Sequence, residues 1–241
     1  MLKVSAEKQR QRADKLLQII EYNKPHVVCL QEVTMSFLSH FLGDKFLREN
    51  FVASDVSAST FQGYGVVTLC NKDVGVQFKL RKLPSQMERR TVFTEIQIDE
   101  NNRFTVCNVH LESLRSGEVR KAQLEAICKC MTLSVPASFC VVGDFNFDVK
   151  WKDCKKREET VLEKYSVKDA WQEIYPEGNE GYTMDNPNKS PCRIDRFCYR
   201  SDTQNFVVKE IQILGKKPNV KNDLLVSDHY GLLVDAKFSE N

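Results

Sequence analysis

The chain has 241 residues, 41% hydrophobic and 28% charged, the composition of an ordinary soluble globular protein with enough apolar mass for a real core. With 35 Lys and Arg against 33 Asp and Glu the net charge is +2, so overall charge does not announce nucleic acid and any basic surface must be local. Nine cysteines without a CxxC pair or zinc spacing, several inside apolar runs (Cys29, Cys70, Cys107, Cys140), favour a reducing compartment over a disulfide scaffold.

Residues 1 to 15 have no apolar core of a signal peptide, and no apolar run is long enough to span a membrane. Ala6 to Tyr22 carries Ala13, Leu16, Leu17, Ile19 and Ile20 at helical period. Lys24-Pro25 ends that helix. His26 to Gln31 is contiguous and apolar enough for a buried strand, with Glu32 at its end. Thr34 to Leu42 reads as a second short helix, and Asp55 to Gln62, rich in Ser, Thr and Ala, as a loop.

The period then changes. Tyr64 to Leu69, Val74 to Leu80, Thr91 to Ile98 and Arg103 to Leu111 are strand-like, separated by Asn71 to Asp73, Pro84 to Arg90 and the turn Asp99 to Asn102, which predicts a β-meander. The last of these strands runs into His110-Leu111-Glu112-Ser113. Glu118 to Met131 has helical spacing. After Pro136, a strand from Ser138 to Val142 delivers Gly143-Asp144-Phe145-Asn146-Phe147-Asp148. A basic run follows (Lys150, Lys152, Lys155, Lys156, Arg157 around Trp151), which on its own is more often a solvated face than a binding site. Ser166 to Tyr175 is read as a helix capped by Ser166, Glu177 to Pro191 as loop, and Arg193 to Tyr199 with Phe206 to Leu214 as a strand pair. Leu224 to Val234 leads Ser227-Asp228-His229 into a final strand.

Polar residues thus recur at strand ends: Glu32, His110 with Glu112, Asp144 with Asn146, Asp195, and Asp228 with His229. Each alone is more often structural, Asp144 as a cap for instance. If the strands share one end of a sandwich, at least three carboxylates, two imidazoles and an amide converge, and the acids raise one another's pKa values. Oxygen ligands without thiolates then call for a hard divalent cation, Mg²⁺ or Mn²⁺.

Leu30-Gln31-Glu32-Val33, Asn108-Val109-His110-Leu111-Glu112-Ser113, Gly143-Asp144-Phe145-Asn146 and Ser227-Asp228-His229-Tyr230-Gly231-Leu232 resemble, in order and spacing, the motifs of the endonuclease/exonuclease/phosphatase superfamily of Mg²⁺-dependent phosphodiesterases. Within it, the His-Leu-Glu-Ser form, the Asp169-Ala170-Trp171 helix, and Gly181 to Asp185 followed by Arg193 to Arg196 are similar to the 5′-tyrosyl-DNA phosphodiesterases. The resemblance implies a four-layer α/β sandwich, two packed mixed β-sheets flanked by helices, as a single catalytic domain over residues 1–241. It implies Glu32 and Asp228 at the metal, Asp144 activating water, Asn146 on the phosphate or that water, His229 held by Asp195 as an imidazolium donor, and His110 as a second donor. For substrate it implies Ser85, Gln86, Met87, Glu88, Arg89 and Arg90 before a strand, together with Asn146, Phe147, Asp148 and Arg193. Tyr64 is a stacking wall or simply a sheet residue.

The implied partners are DNA 5′ ends carrying a tyrosyl or peptide adduct and topoisomerase-DNA adducts, with no membrane. The protein is expected to be monomeric and to reside in the nucleus, with the cytoplasm second. Other substrates in the superfamily are an abasic site, poly(A), and phosphoinositide or sphingomyelin, and a catalytically dead scaffold is the reading from another class. Two departures shape the expectation. The family's first strand, bearing an Asn, precedes the helix on which this chain opens, and Met1 to Val4 cannot supply it, so the domain is expected to be N-terminally truncated, with bare sheet edges and weakened or absent activity. Asp148 stands where the tyrosyl subgroup has an Arg, and Met184 where it has a Trp.

Overall fold

The apolar strand between Ser138 and Gly143 becomes the middle of a six-stranded sheet. In a computed structural model of the chain, residues 5–98, 103–133, 138–185, 190–202, 206–216 and 225–238 are described. The expected turn at Asp99 to Asn102, Pro136, Met1 to Val4 and Leu224 lie outside them. The strand itself is β7 (Phe139–Asp144). Antiparallel β4 (Val76–Lys82), β5 (Arg90–Gln97) and β6 (Arg103–His110) form the meander, β6 pairs with β7 in parallel, and β9 (Asp195–Arg200) pairs with β7 antiparallel. The short β8 (Lys168–Asp169) closes the other edge, giving the order β4-β5-β6-β7-β9-β8. The parallel pair needs a crossover, and α4 (Gly117–Thr132) provides it.

A second layer covers this sheet. β1 (Val27–Thr34), β2 (Phe51–Ala53) and β3 (Tyr64–Asn71) form an antiparallel sheet in the order β1-β3-β2, and β10 (Phe206–Leu214) pairs with β11 (Gly231–Phe238). Apolar side chains between the layers, including Cys29, Cys70, Val106, Cys140, Val142 and Ile211, make one core. Outside the three-stranded sheet, α1 (Ala6–Asn23), α2 (Met35–Phe41) and α3 (Lys45–Asn50) bury Ala13, Ile20, Leu38, Phe41 and Leu47. Outside the six-stranded sheet, α4 and α5 (Glu158–Lys164) bury Leu124, Ile127, Val161 and Leu162. Helix, sheet, sheet, helix are the four layers expected, and alternate residues of each strand feed the inner and outer cores.

Four expectations are corrected. The second layer is two antiparallel sheets and not one mixed sheet. The strand at Tyr64 is not part of the meander, because β3 pairs with β1 and β2 instead of β4. β9 and β10 do not pair with each other. The helix expected from Ser166 is only α6 (Ala170–Ile174), capped by Asp169, which accepts from the Trp171 amide at 3.0 Å. Ser166 sits at φ 54° just after α5, donating its amide to the Glu163 carbonyl, so it ends one helix and does not start the next.

Gly143 lets the layers meet. Its φ is 126°, and a Cβ there would lie 2.1 Å from the Val109 carbonyl oxygen and 2.8 Å from Gln31 Nε2. The Gln31 amide passes over this gap to donate to Asn108 Oδ1 at 2.7 Å, while Asn108 Nδ2 reaches the Val67 carbonyl at 3.1 Å and Thr68 Oγ1 at 3.2 Å. Asn108 is fully buried. Gly143→Ala is therefore expected to cost on the order of 3 kcal/mol in urea unfolding, combining left-handed strain with displacement of the Gln31 bridge.

Candidate active site

Register alone aligns three of the polar residues. His110 pairs with Asp144 across β6 and β7, and Asp144 with Asp195 across β7 and β9, so the three stand side by side at one end of the sheet, roughly 5 Å per strand apart. His229 comes from the turn that precedes β11. Its Nδ1–H donates to Asp195 Oδ2 at 3.0 Å, and its backbone amide donates to Ser227 Oγ.

Asp144 is buried, 6% exposed, and burial pushes its carboxyl up to about 7, helped by the charges of Asp195 and Glu32 and opposed by His229 and the Asn146 amide at 2.7 Å. The two imidazoles that flank this acid differ in protonation. Arg89 Nη1 can only donate, so His110 Nδ1 accepts from it at 2.9 Å, and the proton on Nε2 faces Asp144 Oδ2 at 3.3 Å. Burial, with the nearby Arg89 and His229 charges, pushes His110 down to about 3, so it is neutral. His229 goes the other way: burial disfavours its charge, but the Asp195 hydrogen bond and the charges of Asp195, Asp144 and Asp228 outweigh it and raise it to about 9. The site therefore holds a neutral donor and an imidazolium on either side of a poised carboxylate.

Among the described residues, ligand atoms of Asp144, Asp195 and His229 lie within 4.8 Å of one another. Glu32, at φ 54° in the bulge of β1 and not at its end as expected, and Asp228 are exposed; Glu32 acts on Asp144 and Asp228 on His229 through their charges. Three acids, Asp144, Asp195 and Asp228, act on one imidazolium here, and Asp195 and Glu32 add a smaller push to an Asp144 pKa raised first by burial. Oxygen and imidazole donors in that state suit a hard divalent cation.

The loop expected to contact substrate folds back on itself. Leu83 donates its amide to the Arg89 carbonyl, and buried Glu112 accepts from Ser85 Oγ at 2.6 Å, the Gln86 amide at 2.9 Å and Gln123 Nε2 at 3.1 Å. Gln86, Met87 and Glu88 are left exposed and Arg90 half-buried, while Arg89 turns inward to His110 and to Ser113 Oγ at 2.8 Å. The Arg89 guanidinium lies 5.3 Å from the centre of the half-buried Tyr64 ring, and the two line a cleft with Phe61, Met87 and His110.

Other expected substrate residues are structural. Phe147 is fully buried in the outer core. Asp148 is 3% exposed and accepts from the Lys150 and Arg193 amides, so its charge does not face the mouth. Arg193 is committed to Asp169 at 2.7 Å, an acid it shares with fully buried Arg196. Asn146, at φ 55°, donates Nδ2 to the Leu111 carbonyl, which leaves Oδ1 as its polar face.

Two contributors were missed from the sequence. Thr183 Oγ1 accepts from the Ile194 and Asp195 amides while its carbonyl accepts from the Tyr230 amide, so one residue ties the Asp195 strand to the His229 turn. Arg120 pairs with fully buried Glu158 at 2.9 Å and donates to the Glu112 and Leu114 carbonyls, holding the turn after His110. Thr183 stands in the Gly181 to Asp185 stretch that carries the resemblance but was given no role of its own, and Arg120 looks like any helix arginine.

The endonuclease/exonuclease/phosphatase family model matches residues 3–229. Among solved structures, a humanized TDP2 of D. rerio carrying 14 mutations superposes with a TM-score of 0.77 at 19% identity, covering 97% of this chain and 94% of that one. D. rerio TDP2 complexed with single strand DNA product gives 0.74 at 21%, covering 96% and 92%. An endonuclease/exonuclease/phosphatase from Bacteroides vulgatus gives 0.74 at 19%, covering 95% and 90%. No curated protein matches the chain by sequence.

Two outcomes follow from the electrostatics. In metal-free protein the His229 ring is expected to titrate near 9 by proton NMR, and in Asp195→Asn to fall back toward the ordinary 6.5. Asp169 is buried, which alone would raise its pKa, but Arg196 and Arg193 hold it below the ordinary carboxylate value. Its contribution to stability is thus present above an unfolded pKa of about 3.9 and lost as pH falls through the lower folded value. Asp169→Asn leaves the buried Arg193 guanidinium without an acid and Arg196 with Glu159 alone, and urea unfolding at neutral pH is expected to show a loss of about 3 kcal/mol, with that acid-dependent limb removed.

Proposed function

The chain belongs to the endonuclease/exonuclease/phosphatase family, and we propose that it is a divalent-cation-dependent phosphodiesterase that hydrolyses the 5′-phosphotyrosyl bond of a topoisomerase-DNA or peptide-DNA adduct and leaves a 5′-phosphate. The observation that carries this reading is the convergence of Asp144, Asp195 and His229 beside His110, with the Arg89 guanidinium on the Tyr64 ring lining a small cleft at the His110 side. A cation and an aromatic wall next to the reacting phosphate suit a leaving phenolate, by charge and by ring packing.

Asp144, poised near neutrality, takes the proton of the attacking water as its oxygen bonds to phosphorus. His110 Nε2–H and the Asn146 amide hold that carboxylate in place. The His229 imidazolium, oriented by Asp195, donates to a non-bridging phosphate oxygen as charge builds there. The phosphorus–phenol oxygen bond breaks, and the phenolate leaves toward Arg89. A phenol with pKa of about 10 leaves without a general acid. Glu32 and Asp228, with the Asp144–Asp195 pair, would hold Mg²⁺ or Mn²⁺, whose chemistry when bound is to neutralise a phosphate oxygen. The reading makes the protein a monomeric DNA-repair hydrolase of the nucleus, acting on DNA 5′ ends.

Hydrolysis of a 5′-tyrosyl single-stranded oligonucleotide, with and without Mg²⁺, tests this against an abasic duplex, poly(A) and a phosphoinositide. Cleavage of the tyrosyl substrate alone is expected, with Asp144→Asn lowering it by about 10³ or more. Arg89→Gln is expected to slow tyrosine release about tenfold more than release of a more acidic phenol that needs less stabilisation. Cleavage of another substrate in place of the tyrosyl one overturns the specificity, and no cleavage of any moves the protein to a binding scaffold.

A further inference from the structure

The meander overhangs the layer that covers it. β3 lies over β5 and β6, and past it the inner face of edge strand β4 opens from half-buried Val76 and Phe78 to exposed Leu80 and Lys82. Which side chains share that face follows from alternation. Thr91 and Phe93 point outward, where Thr91 Oγ1 meets Cys107 Sγ at 3.0 Å and Phe93 joins Leu83 and Cys107 in the outer core. Arg90 and Val92 therefore point inward, and so do their cross-strand partners Lys82 and Leu80.

Lys82 and Arg90 stand directly opposite each other on either side of the loop that Leu83 and Arg89 close by a backbone hydrogen bond. Like charges in that position repel, and among the described residues neither is paired with an acid: Glu95, the acid on β5, is taken by Lys79. Arg89 is committed to His110 and Ser113, whereas half-buried Arg90 lines the cleft together with Tyr64, Leu80 and Met87. Leu80 and Met87 are 42% and 38% exposed. The cleft beside His110 thus continues onto a shelf with an apolar footing and two uncompensated cations.

We propose that this shelf binds the polypeptide flank of the adduct, and that Lys82 and Arg90 select acidic residues next to the linked tyrosine. The inference rests on the reading above that the phenol leaves toward Arg89. A phosphotyrosyl bond has nucleic acid on one side of phosphorus and a peptide on the other. With the ring beside Arg89 and Tyr64, what continues past it along the cleft is the chain that carries the tyrosine. Leu80 and Met87 give that chain apolar contact, and a carboxylate between Lys82 and Arg90 relieves their repulsion. A lysine or arginine at the same place in the peptide adds a third like charge, so the discrimination has a repulsive part as well as an attractive one. Neither residue touches the reacting atoms; their role is specificity.

Fluorescence anisotropy on the full chain, in EDTA and at low ionic strength, reads the shelf without turnover. The probes are a short labelled oligothymidine with a 5′-phosphate alone, or with that phosphate joined to the tyrosine of Asp-Glu-Tyr-Glu-Asp, Ala-Ala-Tyr-Ala-Ala or Lys-Lys-Tyr-Lys-Lys. The acidic adduct is expected to bind about fivefold tighter than the alanine adduct, and the lysine adduct weakest. Lys82→Glu, which gives Arg90 an acid across the strands, should bring the ratio of acidic to alanine affinities to about one, and Lys82→Arg should keep it. Equal affinity for the three peptides overturns the proposal, as does a ratio that survives Lys82→Glu. An equal loss in Lys82→Glu for the oligonucleotide without peptide gives the shelf to nucleic acid, and overturns the proposed occupant. Adding Mg²⁺ to the same adducts separates the shelf from the reaction: hydrolysis without an acidic preference overturns the shelf alone, and an acidic preference without hydrolysis supports the shelf and overturns the reaction.

Discussion

Desolvation of the Asp144 carboxylate is the constraint around which the site is built. A buried acid without partners costs several kcal/mol, and this one is placed by β7 in the middle of a sheet, beside a second acid in register. Two backbone amides away, the Asn146 turn provides one donor. The other partners are imidazoles whose own surroundings set their charge: Arg89 forces His110 into the neutral form with its proton toward Asp144, and Asp195 keeps His229 cationic. Had both rings been cationic, the carboxylate would be locked as a salt bridge and a poor base. Had both been neutral, it would stay protonated well above neutral pH. The mixed pair leaves it close to the operating range of a general base.

Such a site demands a rigid surround, and the chain supplies it with buried polar groups away from the reacting atoms. Asp169 gathers Arg193 and Arg196, Asp148 fixes the backbone of Arg193, and Thr183 fastens the two residues that follow. On the opposite flank Glu158 and Arg120 hold the turn after His110, and Glu112 clamps the loop that delivers Arg89. Ion pairs of this kind add little net stability relative to apolar packing, but removing one partner strands a charge in the core. Their effect is positional. They leave few ways to move His110, Asp195 or Arg89 without breaking a buried hydrogen bond.

Much of this was legible in the sequence because the signals are local and periodic. Contiguous apolar runs ending in Asp144, His110 and Glu32 gave the strands and the convergence of their ends, and helical spacing marked α1, α2 and α4. Charge roles were harder. Arg193, Asp148 and Phe147 lie in or near motifs of the mouth and read as substrate contacts, yet their side chains turn into the core, a direction fixed by long-range partners such as Asp169 that no spacing reveals. Short elements failed for another reason. α3 and α5, of six and seven residues, went unread although the equally short α2 did not, and α6, of five, was read from Ser166, four residues early; elements this short carry little periodic signal and are held by packing. The division of the second layer was foreshadowed only as bare sheet edges, since strand pairing depends on residues distant in the chain.

That division bears on the site because each part of the second layer carries one of its residues. Glu32 sits in the bulge of β1 and His229 just before β11, and among the described residues each of those strands has one hydrogen-bonded neighbour, whereas Asp144 and His110 stand on strands with two. A strand held on one side opens more easily, and local openings concentrate where backbone bonds face solvent. The half of the site borne by the six-stranded sheet is therefore the more firmly preorganised of the two among the described residues. A mouth shared between sheets of unequal support takes its electrostatic order chiefly from the six-stranded side, where His110, Asp144 and Asp195 stand in register.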